Sequence, residues 1–194
     1  MKKIFTFSPL IVLSVLVIVL IGGKLKGREH GPDEYGKLPN FELIDHNGKT
    51  YDIADVQAKA RVINFMFTEC KGICPVLSGE MIKFQELFTA PQALELISIS
   101  IDPENDTPEN LRDFIAERKV KTHNWSYLTG EKEKIAEIMT KYFKIGFHEN
   151  IQNHTDRFVL IDRKNEIRGY YSMSSDAKAF SRLKSDIAWL LHNN

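Results

Sequence analysis

An apolar run leads directly into a pair of cysteines within residues 62–75, which read Val62-Ile63-Asn64-Phe65-Met66-Phe67-Thr68-Glu69-Cys70-Lys71-Gly72-Ile73-Cys74-Pro75. The run has the length of a buried strand, and the residues after Pro75 carry apolar side chains at helical spacing. Cys70 and Cys74 are the only cysteines in the 194 residues. Both therefore lie where a strand is predicted to give way to a helix. This placement indicates thiol redox chemistry, binding of a soft metal ion, or both.

The proline after the second cysteine bears on how the two thiols meet. Pro75 disfavours the α conformation for Cys74, so we expect Cys74 at the N-cap of the helix and Cys70 in the preceding loop. Residues four apart within a helix hold their Cβ atoms ~5–6 Å apart, whereas a disulfide needs ~3.5–4.5 Å. A loop with the conformational freedom of Gly72 closes that gap. The helix N-terminus is also expected to favour the thiolate, which is both nucleophile and metal ligand.

Three interpretations of the cysteine pair stay open at this point. A permanent structural disulfide would close only a small loop and would stabilise the fold little. A thiol–disulfide exchange centre and a metal site both use the same two thiolates. The choice among the three depends on the rest of the chain.

The remaining hydrophobic pattern predicts an α/β fold with a parallel core. An N-terminal β-hairpin is predicted around the turn sequence His46-Asn47-Gly48, and Thr107-Pro108 is typical of a helix start. Further strands are predicted at residues 61–67, 94–101, 125–128, 158–161 and 167–171, with helical stripes at 75–88, 108–115, 135–143 and 180–191. The predicted order is ββ-β-α-β-α-β-α-β-β-α. A cysteine pair between the first core strand and its helix matches the thioredoxin-like layout.

Proline usage separates this chain from ordinary thioredoxin-type oxidoreductases. Those proteins carry a cis-proline before the late core strand, facing their cysteines, and none of the seven prolines here lies beyond Pro108. His154 precedes the predicted strand at 158–161 and so falls near that position. Two thiolates and one imidazole form a soft, open three-ligand set suited to copper. His148, six residues earlier, is an alternative ligand. Catalytic zinc sites also use two cysteines and one histidine, but no obvious catalytic base or substrate pocket accompanies these residues here.

The N-terminus predicts a membrane anchor. Residues 1–3 are basic and residues 4–23 carry no charge, which gives a helix of ~30 Å, about one hydrocarbon core. No A-x-A-like cleavage signal follows, and no cysteine is present to carry a lipid. We therefore expect a signal anchor at 1–23, a charged linker at 24–37 and a folded domain at 38–194. Because paired thiols suit a compartment in which thiols are managed, the domain is predicted on the extracytoplasmic side, which is the periplasmic side in a bacterium.

The charge balance excludes one class of partner. The chain has 26 basic and 26 acidic residues, which gives a formal net charge of zero. Nucleic-acid-binding proteins normally carry a basic surplus, so we expect no nucleic-acid partner. The hydrophobic content of 43% is sufficient for one ordinary core.

Three segments of the chain resemble the Sco/SenC family. Residues 67–75 resemble its F-T-x-C-x-x-x-C-P motif, and residues 100–108, which read SIDPENDTP, resemble its S-x-D-P-x-x-D-T-P segment. His154 and the residues up to 162 resemble the metal-histidine segment of the family. The three segments occur in the family's order, and the resemblance covers about residues 38–192.

The resemblance implies a membrane-anchored, thioredoxin-like copper-binding protein. Such a protein would assist assembly of the dinuclear copper centre of cytochrome c oxidase subunit II, or would serve another copper protein. The resemblance also implies that Cys70, Cys74 and His154 are the copper ligands, and that Cys70 and Cys74 form a redox-active pair. The alternative function is a membrane-tethered thiol–disulfide reductase that keeps the copper-site cysteines of a partner reduced. A copper or redox sensor is a third possibility.

Two positions depart from the family pattern. Lys71-Gly72 stands where many members have Pro-Asp, and Asn153 stands where many have Asp before the histidine. Both differences remove a negative charge near the ligands, so they bear on copper affinity, the preferred oxidation state and the choice of partner. Asp102 and Asp106 are interpreted as residues that shape a turn and cap the next helix.

Overall fold

The computed structural model describes residues 31–146 and 155–193. The predicted anchor at residues 1–23 lies outside this part of the chain. Within the described ranges, no helix is both long and apolar enough to cross a bilayer. Pro32–Asn194 forms one compact unit.

A seven-stranded mixed sheet forms the centre of this unit. Its strands are β1 Glu42–Asp45, β2 Thr50–Asp52, β3 Ala60–Met66, β4 Leu94–Ser100, β5 Trp125–Thr129, β6 Arg157–Asp162 and β7 Ile167–Ser172. They lie side by side in the order β2-β1-β5-β4-β3-β6-β7. The three central strands β3, β4 and β5 are parallel, and the outer strands pair antiparallel. The predicted N-terminal hairpin and parallel core are therefore confirmed.

The described chain has four α-helices, which are α1 Cys74–Leu87, α2 Pro108–Glu117, α3 Lys132–Glu137 and α4 Ala179–Asn193. α2 begins as predicted, because the Thr107 hydroxyl accepts a hydrogen bond from the Asn110 backbone N–H at 3.3 Å. The helix predicted over residues 135–143 is α-helical only as far as Glu137, and a π-helical turn, Ile138–Tyr142, continues it. The predicted order of strands and helices is confirmed.

The central strands are buried on both faces, which is why they appear in the sequence as unbroken apolar runs. All seven residues of β3 are buried. Phe84 of α1 stacks on Phe180 of α4 with ring centroids 4.5 Å apart, and it meets Phe158 of β6 edge-on. Burial of each such ring contributes about 1.5–3 kcal/mol. The helix that carries Cys74 is therefore held firmly against the sheet and α4.

A buried arginine ties the N-terminal segment to this sheet. The Arg168 guanidinium in β7 forms an ion pair with Asp162 of β6 at 2.9 Å. It also donates hydrogen bonds to the backbone carbonyls of Pro32 and Asp33 at 2.8 and 3.1 Å. The C-terminal part of the predicted linker, from residue 32 onward, therefore contacts the domain.

Candidate metal and redox site

The two cysteines lie together at the end of β3. The strand ends at Met66 and α1 begins at Cys74, so Cys70 lies in the connecting loop. Only 6% of Cys70 and 4% of Cys74 is exposed, and both residues are reduced thiols. The two side chains share a hydrogen bond. The structure thus brings the predicted pair together, with one thiol on a loop and the other on a helix.

The predicted cap of α1 is wrong by one residue. Ile73 is the N-cap, and Cys74 is already helical. The Ile73 carbonyl accepts hydrogen bonds from the N–H groups of Val76 and Leu77, both at 3.0 Å. The restriction before a proline is a bias and not a prohibition, and Pro75 fits the first helical turn because its missing N–H needs no partner there. Cys74 is therefore held by the helix itself, whereas its partner is carried by the loop.

The expectation that the helix N-terminus favours the thiolate is wrong for the reduced Cys74. Burial of the side chain raises the pKa of Cys74 to about 12. The hydrogen bond with Cys70 and the negative charge of Asp106 raise this pKa further, against a hydrogen bond with the Phe67 backbone that lowers it. A bound cation would supply the positive charge that a thiolate needs in this setting.

This burial predicts an unusual alkaline titration. A Cys70→Ser variant, in which Cys74 is the sole thiol, should form thiolate near the ordinary pKa of about 8.5 when unfolded in urea, but at clearly higher pH when folded. Because the folded-state pKa is raised, the contribution of this group to stability is present below the ordinary pKa and is lost as the pH rises above it. Ultraviolet absorbance of the thiolate measures both titrations. Identical curves for the folded and unfolded variant would contradict the buried environment.

A buried aspartate from the β4–α2 loop holds the cysteine loop. Asp106 is 0% exposed, and its carboxylate accepts hydrogen bonds from the Thr68 hydroxyl at 2.5 Å and the Thr68 N–H at 3.1 Å. It also accepts one from the Ser100 hydroxyl at 2.6 Å. The prediction that Asp106 caps α2 is wrong, because Thr107 is the cap. Asp102 shapes the turn as predicted, and its carbonyl accepts a hydrogen bond from the Asp106 N–H at 2.8 Å.

Both candidate histidines, His148 and His154, lie outside the described residues. Directly after them, the Asp156 carboxylate accepts hydrogen bonds from the Ser172 hydroxyl at 2.5 Å and the Ser174 N–H at 2.9 Å. Across residues 31–146 and 155–193, no three His, Cys, Asp or Glu side chains are grouped to hold a metal ion. The described part of the site is therefore the thiol pair, and the third ligand stays a prediction.

Two thiols in hydrogen-bond contact can support two kinds of chemistry. Loss of two protons and two electrons joins them in a disulfide. Loss of the protons alone gives two thiolates, the donors that soft ions such as Cu(I) prefer. Because both reactions use the same sulfur atoms, each excludes the other. Lys71 and Gly72 are exposed between the cysteines, so the outer side of the loop is open to a partner.

The fold and the thiol pair together define a class of protein, the thioredoxin-like proteins with two cysteines between the first parallel strand and its helix. The sequence profile of the SCO1/SenC family matches residues 30–191. The chain therefore belongs to the SCO1/SenC family.

Individual relatives agree with this assignment. The SCO1 protein homolog of Bacillus subtilis (strain 168) is 33% identical over 159 residues, which are 74% of this chain and 82% of that protein. BsSco, described as a cytochrome c oxidase assembly protein of the Sco family with a disulfide switch, is 25% identical with a TM-score of 0.74, covering 86% of this chain and 100% of the other. Copper-bound ScoI of Bradyrhizobium japonicum shares the fold, with a TM-score of 0.60 at 22% identity over 77% of this chain and 98% of the other.

Proposed function

We propose that this protein is a copper metallochaperone that assists assembly of the dinuclear copper centre of cytochrome c oxidase subunit II. The observation that carries the proposal is the buried, reduced pair Cys70 and Cys74, whose side chains share a hydrogen bond. Relatives support it, since BsSco is described as a cytochrome c oxidase assembly protein and the ScoI structure has copper bound. Delivery to another copper protein would use the same site.

In this proposal, Cys70, Cys74 and His154 hold the copper ion. Two thiolates are the soft donors that select Cu(I), and an imidazole adds a donor that also suits Cu(II). The donor set in the described chain fits copper, because it offers two buried thiols whose side chains share a hydrogen bond. Two buried thiolates without a cation are unfavourable, because burial removes the water that would stabilise their charge. This desolvation raises the pKa of Cys74, and a bound cation would offset it.

Thiol–disulfide exchange gives the proposed chaperone a way to release its cargo. When a disulfide of the partner is reduced, Cys70 and Cys74 become a disulfide and pass two electrons to the partner. From the copper-free dithiol two protons pass as well, whereas from the copper-loaded pair the copper ion passes in place of the protons. The oxidised pair has no thiolate left to hold copper. The same exchange leaves the partner's cysteines reduced and able to accept the ion.

We further propose that residues 1–23 anchor the protein in the membrane, that residues 24–37 form a linker whose last part, from Pro32, packs on the domain, and that the copper-binding domain spans 38–194 on the extracytoplasmic side. The uncharged stretch at residues 4–23 supports the anchor. Such a tether would confine the chaperone to the membrane in which the oxidase is assembled.

A thiol–disulfide reductase is the second candidate function. It is favoured by the observation that Cys70 and Cys74 are reduced thiols whose side chains share a hydrogen bond, the arrangement from which a disulfide forms. Such a reductase would keep the copper-site cysteines of a partner reduced and would not need His154. A sensor, in which copper or a disulfide changes partner binding, would use the same two thiols.

Removal of the protein from cells tests the proposal. Cells that lack it should contain subunit II with less copper at an unchanged level of its transcript. The wild-type gene should restore the copper content, whereas a Cys70→Ser gene expressed to the same protein level should not, because serine lacks the soft donor. Full copper loading of subunit II in cells without this protein would contradict the proposal.

A further inference from the structure

We propose that Asp106 and Thr68 form an anchor for the cysteine loop, separate from the predicted membrane anchor, and that it positions the loop thiol, Cys70, against the helix thiol, Cys74. The anchor deepens the proposed function, on which its role in copper binding rests. Asp106 is a positioning residue in this role, because its carboxylate accepts hydrogen bonds from Thr68 and Ser100. It acts through Thr68, which lies two residues before Cys70 in the chain.

The fixed side of the anchor is Asp106. Its carboxylate is fully buried and takes a hydrogen bond from the Ser100 hydroxyl at the end of β4, at 2.6 Å. The Ser100 hydroxyl in turn accepts a hydrogen bond from the Asp102 N–H at 3.0 Å. The next residue, Thr107, caps α2. The carboxylate is therefore held by β4, by its own turn and by the start of a helix.

The held side of the anchor is the cysteine loop. Thr68 donates to Asp106 through both its hydroxyl, at 2.5 Å, and its backbone N–H, at 3.1 Å. Two bonds to one residue fix its backbone as well as its side chain. From there a tight turn leads on, in which the Cys70 N–H donates to the Phe67 carbonyl at 3.3 Å. The position of Cys70 is thus set by a residue from the neighbouring strand-to-helix connection.

A carboxylate suits this task better than an amide. The three groups that point at Asp106, the Thr68 hydroxyl, the Thr68 N–H and the Ser100 hydroxyl, all act as donors. An asparagine side chain at this position would present an NH₂ group, itself a donor, to part of this set. Hydrogen bonds to an ionised oxygen are also the stronger kind.

The contact between Asp106 and Thr68 orders the loop that carries Cys70 before a disulfide forms or an ion binds. α1 already fixes Cys74, so the chance that the two sulfurs meet depends on how narrowly the loop confines Cys70. A loop that is ordered beforehand loses less entropy when it closes a disulfide or surrounds an ion. Loosening the anchor should therefore weaken the disulfide and copper binding together, whereas a purely structural contact would lower only the stability of the fold.

The test compares matched variants of the full-length protein. Thr68→Val removes the hydroxyl, keeps the branched shape and leaves the Asp106 charge in place, and Thr68→Ser restores the hydroxyl. Asp106→Asn disturbs the other side of the anchor. Asp186→Asn is the control. Asp186 lies in α4 and is also a buried carboxylate, which accepts a hydrogen bond from the Tyr171 hydroxyl at 2.7 Å.

The primary measurement is the equilibrium of each variant with glutathione, in which protein dithiol and glutathione disulfide give protein disulfide and two glutathione thiols. Thr68→Val and Asp106→Asn should lower this equilibrium constant by about tenfold, which raises the reduction potential by about 30 mV. Thr68→Ser and Asp186→Asn should keep the wild-type value. Cu(I) affinity, measured by competition with a chelator, should fall by about tenfold in the first two variants only.

An unchanged glutathione equilibrium in folded Thr68→Val would overturn the proposal, as would an equal shift in Asp186→Asn. If Asp106→Asn does not fold, the Thr68 pair decides the question. Failure of the wild-type protein to bind copper would refute the proposed function alone, because the glutathione equilibrium still tests the anchor.

Discussion

Replacement of either cysteine by serine is expected to lower copper affinity by about a hundredfold to a thousandfold. Structural zinc sites with four ligands reach about 10–16 kcal/mol of binding free energy, which is about 2.5–4 kcal/mol for each ligand. Since 1.4 kcal/mol is a factor of ten, loss of one of two soft donors removes two to three such factors. Cys70→Ser and Cys74→Ser should have similar effects, because both sulfurs are required at once.

The measurement is a competition titration of reduced full-length protein with a chromophoric Cu(I) chelator. Met81→Leu is a suitable control, because Met81 is a buried sulfur-containing residue of the same helix and leucine conserves its volume. Its copper affinity should stay at the wild-type value. Circular dichroism should show that both serine variants remain folded. A folded serine variant with wild-type affinity would show that copper binds elsewhere.

The second large effect is expected for the histidine. His154→Ala should weaken Cu(II) binding by at least about a hundredfold, while Cu(I) binding falls less, because two thiolates alone can hold the softer ion. Separate titrations with Cu(II) and Cu(I) measure the two affinities. His148→Ala is the matched control and should leave both unchanged. If His148→Ala is damaging and His154→Ala is silent, the third ligand is His148.

The same variant separates the two candidate functions in cells. Copper delivery needs His154, whereas dithiol exchange does not. If subunit II assembly in His154→Ala cells fails as severely as in Cys70→Ser cells, the chaperone is favoured. Full assembly with His154→Ala and none with Cys70→Ser would favour the reductase.

The features that could be predicted from the sequence are those that depend on residues close together in the chain. The hairpin around Asn47, the start of α2 at Thr107 and the buried central strands each follow from turn chemistry, capping or an apolar run. The place of the cysteine pair follows from a strand pattern that ends just before Cys70 and a helical pattern that begins just after Cys74.

The features that could not be predicted depend on contacts between distant residues. Thr68 and Asp106 are 38 residues apart in the chain, and no periodicity connects them. The raised pKa of Cys74 comes first from burial, which is a property of the packed loop and helix and not of the motif. The one-residue shift of the helix cap arose because α1 includes Cys74 despite the preference imposed by Pro75.

The most direct test of the central claim is a copper titration of the reduced full-length protein, followed by X-ray absorption spectroscopy of the bound ion. One copper ion per chain is predicted, with two sulfur neighbours from Cys70 and Cys74 and, for Cu(II), a nitrogen neighbour from His154. Alkylation of the two thiols beforehand should abolish this binding. Copper bound without sulfur neighbours, or no binding at one equivalent while both cysteines are reduced, would contradict the assignment of the thiol pair as the copper site.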